Sequence, residues 1–547
     1  MQTILIEDTE VMNSMASVVL DGVLKQLNKK YMLLFWRSPG YEWTKDNKLP
    51  ILSLSPTYII PASKEQCEKT INQSSLKSWF EKSQNNWPQD LINRNVNDLI
   101  TLQEVNSITY LSARVGQAIT SLLIRTNPQV SITERAPVSM VHQLLDDVCR
   151  GVDTIAWLNA KFSIKYLFQS ESVYLSYAFL DYAISNNIDV PYILSAEGPL
   201  LITKEHTCGV KEIGSSPVKK KSLNALLSEE ATLFPEALES LALRIAGKKN
   251  YYEAVSIERK RVDLLSEELA KKYNINFISL LDIDQMPKYS SERSYSFVFY
   301  LHAATDGMYA HGYSGYVSPF DFFIDIASRL GDIFSKNIDV LIRPHPNLFS
   351  GQDSKYESQH IKITNEEVAY KHQLGELIST LQKSECNISI ASIELSLHDL
   401  TSSQAAIHVS HHGTVLHDLY ALGLPIITTA VSSLSCLDDI SGCFFISPDI
   451  NQRDFHAFVE NNKTSAIEIT HDRLAKGTQL SLYGCNYLVE NIKPLHLTPY
   501  SSEIYSLTKH IYDNGYSWDL DSLIRDAPSA SICLSNMVAC ALKILDT

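Results

Sequence analysis

Short apolar runs and longer amphipathic stretches alternate along this chain, separated by polar turns. Thr3–Glu7 and Tyr31–Trp36 read as strands on either side of a helix over Val11–Leu27. Residues 37–100 are rich in Ser, Asn, Lys and Pro and show no clear period. The pattern predicts one helix over 100–125 and a second over about 138–160. The run KYLFQSESVYLSYAFLDYAISNNIDVPYILSAEG then predicts a strand at Tyr166–Gln169, a helix from Val173 to Asn186 and a strand at Pro191–Ser195. Strand, helix, strand is the grammar of a parallel sheet. Residues 203–250, which include GSSPVKKKS, break this rhythm and read as an insertion. Helix returns over 251–273, and the polar, Pro-containing segment DIDQMPKYSSER at 282–293 reads as an inter-domain linker.

The second half has clearer α/β grammar. Ser296–His302 is an apolar strand, Phe320–Lys336 a helix, and Asp339–Arg343 a strand that ends at PHPN. A helix over 366–383 follows, then a strand at Ala405–Val409 that ends at SHHGT. Val415–Leu422 is a helix, Gly423 stands where a helix C-cap belongs, and Pro425–Thr429 is the next strand. The tail, 500–547, reads as helical.

Composition narrows the class. The 547 residues are 45% hydrophobic and 20% charged, which excludes collagen-like, low-complexity and largely disordered chains. A formal net charge of −15 argues against a nucleic-acid coat protein. The first twenty residues carry acids where a secretory signal has basic residues, and no apolar run reaches the ~18 residues of a membrane span. The nine cysteines contain no CxxC pair, as expected of reduced thiols in a cytoplasmic protein.

Ligands of open parallel sheets bind beyond the carboxyl ends of the strands. Three loops qualify: HAATDG (302–307), RPHPN (343–347) and SHHGT (410–414). In the third, Gly413 permits close backbone approach, Thr414 caps the next helix for an anion, and Asp418 lies one turn further in, where it suits ribose hydroxyls. The plainer reading of this loop is an ordinary strand–helix turn. In RPHPN, Arg343 and His345 donate to phosphate, and imidazole also serves as an acid near neutral pH; a rigid turn with a surface Arg is the alternative. In HAATDG, Asp306 suits a base, a nucleophile or a hydroxyl ligand, or a turn residue. Glu197 in SAEGP holds the matching position in the first half, as do Glu171 and Tyr174, while Tyr309 and His311 are weaker candidates for the same region. No HExxH is present, and the adjacent His411 and His412 are not expected to share one site from regular structure, so no metal site is assigned.

The runs FVFYLHAATDGMYAHGYSGYVSPFDFFIDIASRL, VLIRPHPN and AAIHVSHHGTVLHDLYALGLPIITT resemble bacterial capsule and surface-polysaccharide glycosyltransferases, including those that transfer Kdo from CMP-Kdo. The resemblance spans about 296–430, is faint over 160–200 and is not seen elsewhere. It implies a GT-B-like α/β fold: two Rossmann-type domains with a cleft between them. The implied organisation is an N-terminal acceptor-side domain (1–285, with insertions at 37–100 and 203–250), a nucleotide-sugar domain (286–490) and a helical tail (491–547). It further implies that His345 and Pro346, with Arg343, Ser410, His412, Gly413 and Thr414, contact the donor phosphate. Asp418 stands where many such enzymes carry Glu. In retaining members an Asp is the nucleophile and a Glu lies across the cleft, and Asp306 and Glu197 are the matching residues. His345 completes the catalytic set. No metal or other cofactor is implied beyond the CMP-sugar donor. The implied acceptor is an oligosaccharide or lipid-linked glycan, met at the inner face of the cytoplasmic membrane without spanning it. Lys219–Lys221 offers a contact for anionic lipid, against the plainer reading of a solvated loop.

Three rivals share this frame. A CDP-polyol phosphotransferase of teichoic-acid type moves a phosphoryl-polyol. A sugar-nucleotide 2-epimerase needs no acceptor. A nucleotide-binding scaffold turns nothing over.

Overall fold

A computed structural model describes residues 3–7, 32–36, 57–59, 73–127, 130, 133–168, 174–190, 192–194, 201–203, 241–242, 245–246, 256–285, 295–302, 315–316, 318–333, 338–345, 357–401, 406–413, 415–430, 432–437, 439–462 and 467–483. They divide into two compact units, each built on a parallel sheet.

The first unit contains strands β1 (Thr3–Glu7), β2 (Met32–Trp36) and β3 (Thr57–Ile59). Helices α1 (Gln73–Ser83) and α2 (Val115–Thr126) bracket the short strand β4 (Leu99–Thr101), which pairs antiparallel with β5 (Arg135–Pro137). Helix α3 (Val138–Phe162) then leads into β6 (Ile164–Phe168) and α4 (Tyr174–Ser185). The sheet order is β3-β2-β1-β6, all parallel. Ile4, Leu5 and Ile6 are buried in succession, as a strand covered on both faces requires. Val141, Leu145, Val148, Val152 and Ile155 recur at three- and four-residue spacing on α3 and are all buried. Asp153, fully buried on the same helix, accepts hydrogen bonds from Ser83 Oγ (2.6 Å), Trp87 Nε1 (2.9 Å) and Tyr110 OH (2.7 Å). It ties three separate segments together. Burial pushes its carboxyl up from the ordinary value, against these three donors.

Two expectations fail here for local reasons. The helix expected over 100–125 is broken. Thr101 and Glu104 form a capping box that starts a helix at Leu102–Asn106, and Leu111 and Ser112 take positive φ (46° and 68°) in a turn closed by a Tyr110–Ala113 bridge. Gly116 then brings the next helix against the first: a Cβ there would lie 1.9 Å from the Val105 carbonyl oxygen. The strand expected at 191–195 is not a member of the described parallel sheet. β7 (Tyr192–Leu194) forms an antiparallel hairpin with β8 (Leu201–Thr203), and the parallel return beside β6 is a single bridge, Tyr166–Asp189.

The second unit opens with α5 (Ser256–Tyr273) and β9 (Asn276–Ile278). It continues through β10 (Tyr295–Tyr300), α6 (Pro319–Ile333), β11 (Ile338–Arg343), α7 (Glu357–Lys383) and β12 (Asn387–Ala391). It ends with β13 (Ile407–Val409), α8 (Val415–Ala421), β14 (Ile426–Thr429), β15 (Cys443–Ile446), α9 (Gln452–Asn462) and α10 (His471–Tyr483). The sheet is parallel throughout, in the order β15-β14-β13-β10-β11-β12-β9. Strands β10 to β15 thus have the Rossmann winding, with β9 added beside β12. β9 is hydrogen-bonded to β12, which builds residues 256–285 into this unit. One face of the sheet, through Phe297, Phe299, Val340, Ile342, Ile390, Ile407 and Val409, packs on Phe320, Phe323, Ile326, Leu374 and Ile378 of α6 and α7. Gly423 ends α8 with φ 65°, as its position in the sequence predicted.

The helix expected at 11–27, the insertion at 203–250 with Lys219–Lys221, and the tail beyond 490 lie outside the described residues, apart from 203, 241–242 and 245–246. Among the described residues no helix is long and apolar enough to cross a membrane.

Candidate functional site

The chain lays down β10, β11 and β12 in one direction across the second sheet, then returns to place β13, β14 and β15 on the other side of β10. The winding therefore reverses between β10 and β13. In open α/β sheets such a reversal marks the crevice, at the carboxyl ends of the strands, where ligands bind.

Histidine occupies that crevice from three strands. His302 follows β10, His345 follows β11, and His411 and His412 follow β13. The His302 and His412 rings lie 3.8 Å apart between centroids, and His302 and His345 lie 5.4 Å apart. His302 and His345 are half-buried, whereas His411 and His412 are buried. A hydrogen bond joins His411 Nδ1 and His412 Nδ1. One nitrogen donates and the other accepts, so the two rings have coupled tautomers. Phe322 packs edge-on against His411 at 5.3 Å, with Tyr316 at 6.4 Å.

The loop is fixed from below. Thr428 and Thr429 hydroxyls both donate to the His411 carbonyl (3.1 and 3.0 Å), and Ser410 Oγ donates to the His412 carbonyl at 3.1 Å. The Ser410 hydroxyl is thereby engaged within its own loop. Gly413 has φ 120°, a conformation that favours glycine, and among the described residues nothing lies within 4 Å of where its Cβ would be. The backbone here is open to a ligand. Asp418 is buried within α8, a helix of seven residues.

Arg343 ends β11, two residues before His345. Its Nη2 donates to the carbonyls of Ile393 and Leu395, both at 3.4 Å. Asp263 of α5 orders that turn by accepting from Ser392 Oγ (2.5 Å) and Ile393 N (3.0 Å). Burial raises its carboxyl above the ordinary range.

Beneath the crevice His408 is buried in β13. It stacks on Tyr300 at 5.8 Å, and its Nδ1 lies 3.1 Å from the Tyr300 hydroxyl. Burial lowers its pKa to about 3, so this imidazole is neutral at physiological pH.

The structure thus places His345, Arg343, Ser410, His412 and Gly413 at one edge of one sheet. Asp306, Glu197, Pro346 and Thr414 lie outside the described residues, as do Glu171, Tyr309 and His311. His302 was not singled out by the sequence, and His411 was weighed only for a metal. His302 closes the apolar run FVFYLH, and that position was its signal. Residues 411–413 form a bend rather than regular structure, and there the His411 and His412 rings meet. Among the described residues no group of three or more His, Cys, Asp or Glu is placed to hold a metal.

No protein-family model matches the chain, and no curated protein matches it. Solved structures give distant likenesses. A UDP-GlcNAc 2-epimerase from Neisseria meningitidis, bound to UDP-GlcNAc, is 9% identical, with 88% of this chain and 99% of that chain covered and a TM-score of 0.19. A glycosyltransferase from Rickettsia africae is 10% identical over 94% of this chain and 99% of its own, with a TM-score of 0.24. A UDP-forming α,α-trehalose-phosphate synthase from Burkholderia vietnamiensis is 10% identical over 93% and 99%, also with a TM-score of 0.24. At these scores the architecture rests on the strand order itself: a mixed α/β chain with two Rossmann-type parallel sheets.

Proposed function

We propose that the chain is a glycosyltransferase of bacterial surface-polysaccharide synthesis, whose second unit holds a nucleotide sugar at the β10/β13 crevice. The observation that carries this reading is the gathering of His302, His345 and His412, with Arg343 beside them, at a topological switch point. Imidazole N–H groups and a guanidinium suit phosphate oxygens, and the open backbone at Gly413 admits close approach. The donor is a CMP-sugar, CMP-Kdo in the first instance, and the acceptor a glycan, free or lipid-linked.

In the transfer step the bond from the anomeric carbon to the donor phosphate breaks and negative charge grows on the departing phosphate. Donors held in place before reaction stabilise that charge without reorganising. His302, His345 and His412 supply them, and the Thr428 and Thr429 hydrogen bonds keep the His412 loop still. His345 is the group to protonate the leaving phosphate. Asp306 is assigned as nucleophile or as the base for the acceptor hydroxyl, and Glu197 as the second carboxylate; both assignments rest on sequence position. Pro346, Thr414 and Asp418 are assigned to the nucleotide on the same ground. The enzyme works at the inner face of the cytoplasmic membrane, where lipid-linked glycans are built.

The test is incubation with CMP-Kdo and a lipid-linked glycan acceptor. CMP release with a matching gain in acceptor mass, lost in folded Asp306→Ala, is expected. Full activity in that variant would overturn the assignment of Asp306. Nucleotide binding without any product would replace the transferase with a scaffold.

A further inference from the structure

Away from the histidine crevice, the first unit carries a cavity of about 300 Å³ between the segment after α1 and the first turns of α3. That volume is at the lower end of small-ligand pockets. Gln84, Asn85, Trp87, Gln89 and Ile92 line one wall, and His142, Leu145 and Asp146 line the other.

The walls are fixed by bonds that do not involve the cavity itself. Trp87 Nε1 donates to the buried Asp153 at 2.9 Å. His142 Nε2 lies 2.8 Å from the Leu91 carbonyl, which makes it the donor and leaves Nδ1 as an acceptor. Gln89 Nε2 donates to the carbonyls of Gln84 and Trp87, at 3.0 and 3.1 Å, and keeps its Oε1. Arg150 forks onto Asp146, with Nη2 2.9 Å from Oδ1, and lies over the Phe80 and Trp87 rings at 5.8 Å each.

Two features define the ligand. First, Asp146, the one carboxylate among the lining residues, is paired with Arg150. Second, the side-chain amides of Gln84 and Asn85 take no protein partner among the described residues, and each both donates and accepts. A hydroxyl has the same dual character. Ile92, Leu145 and the Trp87 edge supply the apolar strip that the C–H groups of a sugar ring need.

We infer that this cavity is a binding site for a neutral saccharide of one or two rings, held by the Gln84 and Asn85 amides. The site belongs to the first unit alone and stands whether or not the second unit transfers a sugar.

The test is saturation-transfer NMR, followed by titration, on the full-length chain. The probes are glucose, galactose, N-acetylglucosamine, cellobiose, lactose and chitobiose, with inorganic phosphate as the charged comparison. The expected result is binding of at least one saccharide that phosphate does not displace. In the double variant Gln84→Ala, Asn85→Ala it weakens about tenfold, the loss expected of two amide hydrogen bonds. Both side chains are at the surface or nearly so, and the variant is expected to unfold at the same urea concentration as the wild type. Failure of all six saccharides to bind, or equal binding by the variant, would overturn the inference. Nucleotide binding, measured in the same samples, reports separately on the second unit.

Discussion

The two parallel sheets are wound alike and differ in extent, with four described strands in the first and seven in the second. β3-β2-β1-β6 in the first unit and β12-β11-β10-β13 in the second have the same order, with the earliest strand third and its reversal partner last. In the first unit the strands beside the reversal run Ile4, Leu5, Ile6 and Tyr166, Leu167, Phe168, all buried. In the second, the equivalent strands lead directly into His302 and His411–His412. Winding creates a place for a ligand, and side chains decide whether chemistry happens there. The polar residues of the first unit make the same point. Asp153 is closed off by three donors and is a structural group, whereas half-buried His302 and His345 are placed to meet a ligand.

The contrast can be broken most forcefully at Asp153. Asp153→Ala leaves Ser83, Trp87 and Tyr110 without their shared acceptor and should cost about 4 kcal/mol in urea unfolding. Nucleotide affinity of the folded fraction should not change. A loss below about 1 kcal/mol would remove the structural reading of this group.

His408 provides the next test. Its folded pKa, about 3, lies below the ordinary imidazole value of 6.5, so the unfolded chain takes up the proton first. Its contribution is complete above pH 6.5 and is lost as pH falls toward 3, by about 3 kcal/mol at pH 4. Unfolding followed across that range should show this slope, and His408→Gln should flatten it. An unchanged slope in the variant would assign the acid sensitivity elsewhere.

Gly116→Ala sharpens the picture of the first unit. The new methyl would meet the Val105 backbone, which cannot swing aside as a side chain can, and about 2 kcal/mol should be lost. Stability equal to wild type would show that the two helices separate freely.

The smallest effect on stability, and the most specific for function, belongs to His302→Ala. Thermal stability should move little, because the ring is half-buried at the edge of the sheet. Affinity for the phosphate-bearing ligand should fall by about tenfold or more, the range for one charge-assisted hydrogen bond. Unchanged affinity would detach His302 from the site.

Most of the second unit was legible because its strands are short apolar runs that stop at Gly, Pro or His. DVLIR–PHPN and IHVS–HHGT mark both the strands and the loops that carry chemistry. β9 was not legible, since NFI is three residues long and becomes a strand only by pairing with β12. The broken helix at 102–126 was missed because its apolar spacing continues through Leu111, and the interruption depends on backbone conformation and on Gly116. The cavity of the first unit left no motif, because Gln84 and Asp146 belong to different elements and meet only through the packing of α1 on α3. Histidine coupling between neighbours was hidden for a similar reason: regular structure separates adjacent side chains, and the bend at 411–413 does not.

The most direct test of the central claim is a thermal-shift panel with CMP, CDP, UMP, UDP, GDP and ADP on the wild type and His302→Ala. A ligand at a hundred times its Kd stabilises the native state by about 2.7 kcal/mol. The account predicts that CMP stabilises the wild type and that His302→Ala loses most of that gain. No shift with any of the six nucleotides, or an equal shift in the variant, would contradict the assignment of the β10/β13 crevice as the nucleotide site.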